Sequence, residues 1–252
     1  MSKLSADGMQ TSNIGGLQAF KFSGIRTERL GAAEYTLATI LIDVSGSVGG
    51  FENDLRKAMV TIVETCKDPK KCPYTDRVLL RVVLFSTSVG LQELHGFNPL
   101  SEIDPASYPA LNPGGGTPLF DAVYSGVGAT NAYGKQLFAD NYFANGIVFI
   151  ITDGMNNAST ATTTMIRKEA EAATKGEHLE SLVSVLVGIN TSSCARELDQ
   201  FRQDAGLTQY IDVGDVTRGK LAKLADFVSQ SVSSQSQALG TGGPSQNIAP
   251  TI

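Results

Sequence analysis

The chain has 252 residues, 42% hydrophobic and 18% charged, and its 20 Lys and Arg against 25 Asp and Glu give a net charge of −5. That length supports one substantial core burying roughly 70–75% of the surface the unfolded chain would expose, and a mean hydropathy of −0.01 excludes the disordered and fibrous classes. The basic residues are scattered, densest in "KDPKK" at 67–71, which argues against a polyanion such as nucleic acid as partner.

No apolar run reaches the ~18 residues of a membrane-crossing helix. The opening "MSKLSADGMQTSNIGG" lacks the apolar segment of a secretory leader, so a cytoplasmic address is expected, with no membrane partner. Cys66, Cys72 and Cys194 cannot all pair within one chain and none stands in a C-x-x-C spacing, so they are expected as reduced thiols. The sequons at Asn157 and Asn190 would matter only in a secreted protein.

Residues 1–34 lack clear periodicity and are expected as an N-terminal arm or irregular edge, with one short strand around "LQAFKF". "YTLATILI" at 35–42 is a β-branched, nearly continuous apolar run, as in a strand covered on both faces. It leads into "DVSGSVGG", and then 51–66 places Phe51, Leu55, Ala58, Met59, Ile62 and Val63 at helical spacing. After a polar turn, "RVLLRVVLF" predicts a second strand, and the segment through Leu94 a hairpin partner for it.

"NPLSEIDPASYPALNPGGGTP" is a Pro-rich connection without helix or strand pattern, and loops of that length inside a domain tend to be functional. The helix after it opens at Pro118 and carries Leu119, Ala122, Val123, Val127 and Ala129 on its apolar side. "GIVFIIT" at 146–152 is another buried strand ending at an aspartate, in "TDGMNN". A helix in "ATTTMIRKEAEAATKG", a strand at 181–189, a helix in "SCARELDQFRQDAG", a weaker strand in "TQYIDV" and a helix in "RGKLAKLADFVSQSV" complete the pattern. This alternation predicts an α/β fold: a Rossmann-like, doubly wound, mostly parallel sheet with one antiparallel edge strand and helices on both faces. The domain is expected over 35–235, and the Ser-, Gln- and Gly-rich 236–252 as a flexible tail.

In doubly wound sheets ligands bind beyond the carboxyl ends of the strands. Asp43, Ser45 and Ser47 leave the first strand, Asp153 leaves the later one, and Thr117 ends the long loop between them. Carboxylate and hydroxyl oxygens without thiolate or imidazole describe a hard cation, Mg²⁺ first, with Ca²⁺ and Mn²⁺ as alternatives. Gly46, Gly49 and Gly50 permit the tight turn. The competing reading of Asp43, Ser45 and Ser47 is a capping turn, that of Asp153 an Asx-turn before Gly154, and that of Thr117 a helix cap. Gly116, Met155, Asn156 and Asn157 are expected to line a partner-binding rim. Asp121 is expected to complement its helix dipole, and His95 and His178 to have no ligand role.

"DVSGS" with "GGTP" and "ITDG" resembles the metal-ion-dependent adhesion site of von Willebrand factor A domains, over roughly residues 35–235. The resemblance implies one divalent ion, hydroxyl ligands at Ser45, Ser47 and Thr117, Asp43 and Asp153 bound directly or through water, and a partner Asp or Glu completing the coordination. It also extends weakly to bacterial intracellular members associated with tellurite resistance and stress or defence systems. Those serve as adaptors for AAA-type ATPases or kinase and phosphatase systems. The expected function is therefore non-enzymatic: no P-loop lysine follows "GGGTP", and "SGSVGG" is not a G-x-S-x-G elbow. The alternatives are a Mg²⁺-dependent phosphate-ester hydrolase and an assembly subunit with a vestigial site.

Overall fold

The computed structural model describes residues 8–14, 20–176 and 178–241. In chain order the strands and helices are β1 (Met9–Asn13), β2 (Lys21–Ile25), β3 (Glu34–Asp43), α1 (Glu52–Lys67), β4 (Val78–Ser86), β5 (Gly90–Pro99), α2 (Leu119–Ala139), β6 (Phe143–Thr152), α3 (Thr163–Lys175), β7 (Leu182–Gly188), α4 (Ala195–Ala205), β8 (Gln209–Asp212) and α5 (Arg218–Thr241). The strands form one sheet in the order β1-β2-β5-β4-β3-β6-β7-β8. From β4 to β8 all neighbours are parallel. β5 runs antiparallel to β4. The chain leaves β3 toward β4 on one side and later returns to β6 on the other, so the switch point lies beyond the carboxyl ends of β3 and β6.

The apolar runs of β3, β4 and β6 are buried on both faces because helices cover both faces. Ile40, Ile42, Val82 and Phe149 pack with α1 and α5, while Leu37, Leu41, Val83 and Val148 pack with α2, α3 and α4. Alternate residues of one strand thus feed two cores, the reason the run reads as continuous rather than alternating. On α1, Leu55, Met59, Ile62 and Val63 are buried, at about 1.5–3 kcal/mol each. Helix α2 lies unusually close to the sheet at Gly126, where a Cβ would stand 2.7 Å from Leu41 Cδ1.

Of the expected arm 1–34, the described residues hold two strands of the sheet, so the boundary expected at 34 falls inside the sheet. β1 and β2 form an antiparallel pair, and Gly24 of β2 is in parallel register with Phe97 of β5, so the hairpin strand β5 is not the outermost one. What holds this pair is Phe22 and Ile25, buried against the aromatic group of Phe97 and Tyr133, whose rings stack at 5.0 Å. Tyr133 also donates its hydroxyl to Ile25 O at 2.5 Å. β1 is polar because it is a half-exposed edge, with Ser12 accepting from Gln136 of α2. Residues 1–7 and 15–19 lie outside the described residues.

The tail also needs correction. α5 continues through 236–241, and only 242–252 lies outside the described residues. Its small polar residues turn inward: Ser233 Oγ donates to Lys71 O at 3.2 Å and Asn145 Nδ2 to Gln235 O at 2.9 Å. Short hydroxyl side chains let the helix approach the turn after α1, so low hydrophobicity there does not mean solvation.

The Pro-rich connection holds two short 3₁₀ turns, Leu100–Glu102 and Pro105–Ser107. Leu100, Ile103, Tyr108 and Leu111 bury its inner side against the α1 core. Arg56 donates to Tyr108 O and Pro109 O, and Lys67 to Ile103 O, so α1 clamps the loop's backbone. His95 is buried beneath it. Its Nδ1 stands 3.0 Å from Gly96 O, to which it donates, and its Nε2 2.7 Å from Tyr108 Oη, while burial lowers the ring's pKa and so favours the neutral form. Cys66, Cys72 and Cys194 are free thiols, and burial pushes Cys66 up to about 12.

Candidate metal centre at the carboxyl rim of the sheet

β3 delivers Asp43 at its last position, and the turn after it is fixed from both sides. Val44 N donates to Phe85 O, and Gly114 N to Val44 O. Ser45 precedes a single 3₁₀ turn, Gly46–Val48, that carries Ser47 back over the strand end. The result is a chain of oxygens linking two strands. Asp43 Oδ1 accepts from Ser45 N at 2.8 Å, Ser45 Oγ lies 3.1 Å from Ser47 Oγ, and Ser47 Oγ donates to Asp153 Oδ1 at 2.8 Å. Ser45 Oγ thus stands between the Asp43 carboxylate, to which its side chain also bonds, and Ser47.

Thr117 arrives from the other direction. Gly46 N donates to Gly115 O at 3.0 Å, joining the long loop to the β3 turn. Thr117 N donates to Asn157 Oδ1 at 2.7 Å, and Asn157 N returns a bond to Thr117 O at 3.1 Å. Gly115 has φ +75° and packs on Thr87 and Ser88, while Gly116 exchanges bonds with Thr87 through Thr87 Oγ1 and Thr87 N. Asp43 and Ser45 are each 1% exposed and Thr117 3%, whereas Ser47 is exposed and Asp153 half-buried. The site is thus a pit with a buried floor and an open lip.

Three features escaped sequence reasoning. Thr152, immediately before Asp153, donates to Asp43 Oδ2 at 2.6 Å and orients that carboxylate from below. It was legible only as the last residue of an apolar strand. Thr87 braces Gly116 from the β4–β5 turn. Asn156 and Asn157, expected on a partner rim, use their side-chain oxygens on the start of α2: Asn156 Oδ1 faces Phe120 N at 3.4 Å and accepts from Ser159. Met155 stands open at 45% exposure. Asp121 accepts from Thr160 N and Ala161 N, tying α2 to the connection after β6.

Electrostatically the pit is under-compensated. Burial raises the Asp43 carboxyl above its usual range, partly offset by the bonds from Thr152 and Ser45. Burial first, and then the charge of Asp43, push Asp153 up to about 6 against the Ser47 bond that lowers it. Neither carboxylate has an ion pair among the described residues. Nor do three or more His, Cys, Asp or Glu gather anywhere among those residues as a metal-holding group. The oxygens brought together by hydrogen bonds are therefore two carboxylates, Asp43 and Asp153, and two hydroxyls, Ser45 and Ser47, while Thr117 is tied to the same rim by its main chain and by the bond that Gly46 N donates to Gly115 O. That all-oxygen set suits a hard divalent cation, whose two charges would balance the two carboxylates and leave no excess negative charge to repel one further anionic ligand.

No helix among the described residues is long and apolar enough to cross a membrane. No protein-family model matches the chain, and no curated protein matches it in sequence. Solved structures do share its fold. The pilus adhesin SpaC from Lactobacillus rhamnosus GG, in its open conformation, superposes with a TM-score of 0.57 at 11% identity, over 90% of this chain and 32% of that one. Proximal thread matrix protein 1 from the mussel byssus superposes with a TM-score of 0.51 at 15% identity, over 80% of this chain and 48% of that one. The chain thus spans less than half the length of either neighbour, and at these identities what is shared is the α/β, von Willebrand factor A-like arrangement of sheet and helices.

Proposed function

We propose that the chain is a divalent-cation-dependent protein-binding module, in which Asp43, Ser45, Ser47, Thr117 and Asp153 hold one cation and a partner's Asp or Glu completes its coordination. The observation that carries the reading is the hydrogen-bonded run from Asp43 through Ser45 and Ser47 to Asp153. It joins two parallel strands at the switch point with no cationic side chain to balance the acids. Bound there, the cation would supply a point of attraction for a carboxylate. The protein's own residues supply the shape: Thr152 orients Asp43, Asn157 holds Thr117, and the β3 turn keeps Ser47 at the lip.

A pilus adhesin shares this fold, which supports a binding role for the chain. The finer reading is an adaptor in a bacterial cytoplasm, with an AAA-type ATPase or a kinase or phosphatase system as partner and Mg²⁺ as the resident ion. It rests on the sequence resemblance. A binding role is preferred to phosphate-ester hydrolysis because position 45, two beyond Asp43, is serine where phosphoryl transfer would use a second acid.

The test is thermal melting of the chain and of Asp43→Ala in EDTA and in rising Mg²⁺, Mn²⁺ or Ca²⁺. A cation at a hundred times its Kd adds about 2.7 kcal/mol, or roughly 5–10 °C for a domain of this size. The wild type should gain that shift and the variant none. Partner capture from the native host should follow the same pattern. Equal melting with and without cation, or capture indifferent to chelator, refutes the proposal, and turnover of a phosphate ester would favour the hydrolase.

A further inference from the structure

Beside the pit, between the start of α2 and the face of α4, lies an open cleft of about 280 Å³. Buried Leu119 and Leu198 line it, the stacked rings of Phe120 and Phe201, 4.5 Å apart, form one wall, and Met155, exposed, lines it as well. Met155 is two residues from Asp153, so one chain segment forms the lip of the pit and the edge of the cleft.

The cleft's volume lies at the lower end of the ~300–1,000 Å³ of small-molecule pockets and has room for one large side chain. Its charges are of one sign: Glu197 and Asp204 line it, both exposed, and no Lys or Arg does. Neither acid has an ion pair among the described residues. The Asp204 carboxylate accepts from Gln200 Nε2 at 2.9 Å, and the neighbouring Arg167 is turned to the main-chain oxygens of Gln203 and Asp204. An apolar slot with uncompensated acids at its rim fits an apolar side chain next to a cation.

We propose that this cleft is a second contact point for the metal-bound partner, taking a Leu- or Phe-sized side chain of an extended segment whose adjacent lysine or arginine faces Glu197 and Asp204. The inference rests on the metal-dependent reading above, since the same segment would place its carboxylate in the pit. It narrows the partner from any acidic surface to a segment bearing an acid, a large apolar residue and a base. A soft, unbranched methionine at the mouth suits such a contact, because it adapts its shape to the side chain that enters.

The probe is a random nonapeptide library displayed on phage, selected on the full chain in Mg²⁺, again in EDTA, and again on Glu197→Lys with Asp204→Lys, whose folding is checked by melting. In Mg²⁺ the enriched sequences should carry an acid and, at fixed spacing, a large apolar residue beside Lys or Arg. On the charge-reversed chain the basic residue should give way to Asp or Glu, and synthetic peptides should show a roughly tenfold exchange of affinity. Methyl resonances of Met155, but not those of the buried Met59, should move on binding. Enrichment of the apolar and basic pair without the acid, unaffected by EDTA, would overturn the metal reading and leave the cleft standing. An acid enriched alone, a selection unchanged by charge reversal, or no enrichment would overturn the cleft. Self-association of the chain abolished by Phe120→Ser would assign the slot to a second copy and likewise overturn it.

Discussion

Thr152→Val removes the hydroxyl that meets Asp43 and that also accepts from Gly154 N at 3.3 Å in the turn after Asp153, which makes it a probe of how the pit is held. The Thr152 side chain donates to Asp43 Oδ2 at 2.6 Å in a site where Asp43 is 1% exposed and already pushed toward its neutral form by burial. A hydrogen bond to a charged acceptor contributes about 1.5–3 kcal/mol. A cation needs Asp43 ionised, so losing that donor weakens cation binding by the same amount, roughly 10–100-fold at about 1.4 kcal/mol per factor of ten. Partners that orient metal ligands from behind have effects of that size. Calorimetric titration with Mn²⁺ or Mg²⁺ at pH 7 measures it. Thr39→Val is the control: its hydroxyl meets Thr130 Oγ1 at 3.1 Å, buried on the same sheet but remote from any carboxylate. It should cost about 0.5–1.5 kcal/mol of stability and leave cation affinity unchanged. If Thr152→Val binds cations within twofold of wild type, Asp43 is not the anchor argued for it.

The remaining predictions concern the frame. Gly115→Ala forces a side chain onto φ +75°, costing about 1–2 kcal/mol, and sets its Cβ 2.9 Å from Ser88 N, a backbone atom that no rotamer relieves. The melting temperature should fall by several degrees and cation affinity with it, because Gly115 O holds the β3 turn through Gly46 N. Glu93→Ala strands Arg81, which is 1% exposed with its Nε 2.7 Å from Glu93 Oε2, and should lower urea-unfolding stability by about 3–5 kcal/mol. A double change to Arg81→Met with Glu93→Leu should recover most of that loss. Burial holds His95 below its usual 6.5, so the folded state resists a proton that the unfolded state takes. Stability should therefore be complete above about pH 6.5 and fall as pH drops below it, by at most ~1.4 kcal/mol per pH unit from this group. His95→Gln should flatten that slope in pH-dependent unfolding.

What could be read from the chain follows from where a single physical cause dominates. Strands β3, β4, β6 and β7 are buried on both faces, so apolar runs marked them, and the alternation with helices implied parallel neighbours and hence the rim where the acids meet. β1 was not legible, and β2 only in part: the strand expected around "LQAFKF" overlaps it at Lys21 and Phe22. "MQTSN" is a half-exposed edge whose partners are Gln136 and a strand eight residues on, and neither leaves a local pattern. The end of α5 misled for the opposite reason. The Ser-, Gln- and Gly-rich stretch from 236 read as flexible tail, yet Ser236 Oγ donates to Tyr74 O, continuing the inward face on which Ser229 and Ser233 donate to Ala225 O and Lys71 O, and such short side chains pack closely. Within the site, residue types at the strand ends pointed to Asp43, Ser45, Ser47 and Asp153. The hydroxyl of Thr152 and the bracing role of Asn157 depend on which way a strand residue faces and on a contact across 40 positions, and only coordinates reveal these.

The most direct measurement is the anomalous difference density of crystals grown in excess Mn²⁺. The account predicts one strong peak within coordinating distance of oxygens from Asp43, Ser45, Ser47, Thr117 and Asp153, directly or through water, with one position taken by solvent or an added carboxylate. No peak at the rim of β3 and β6, or a peak whose ligands all come from the chain itself, would contradict it.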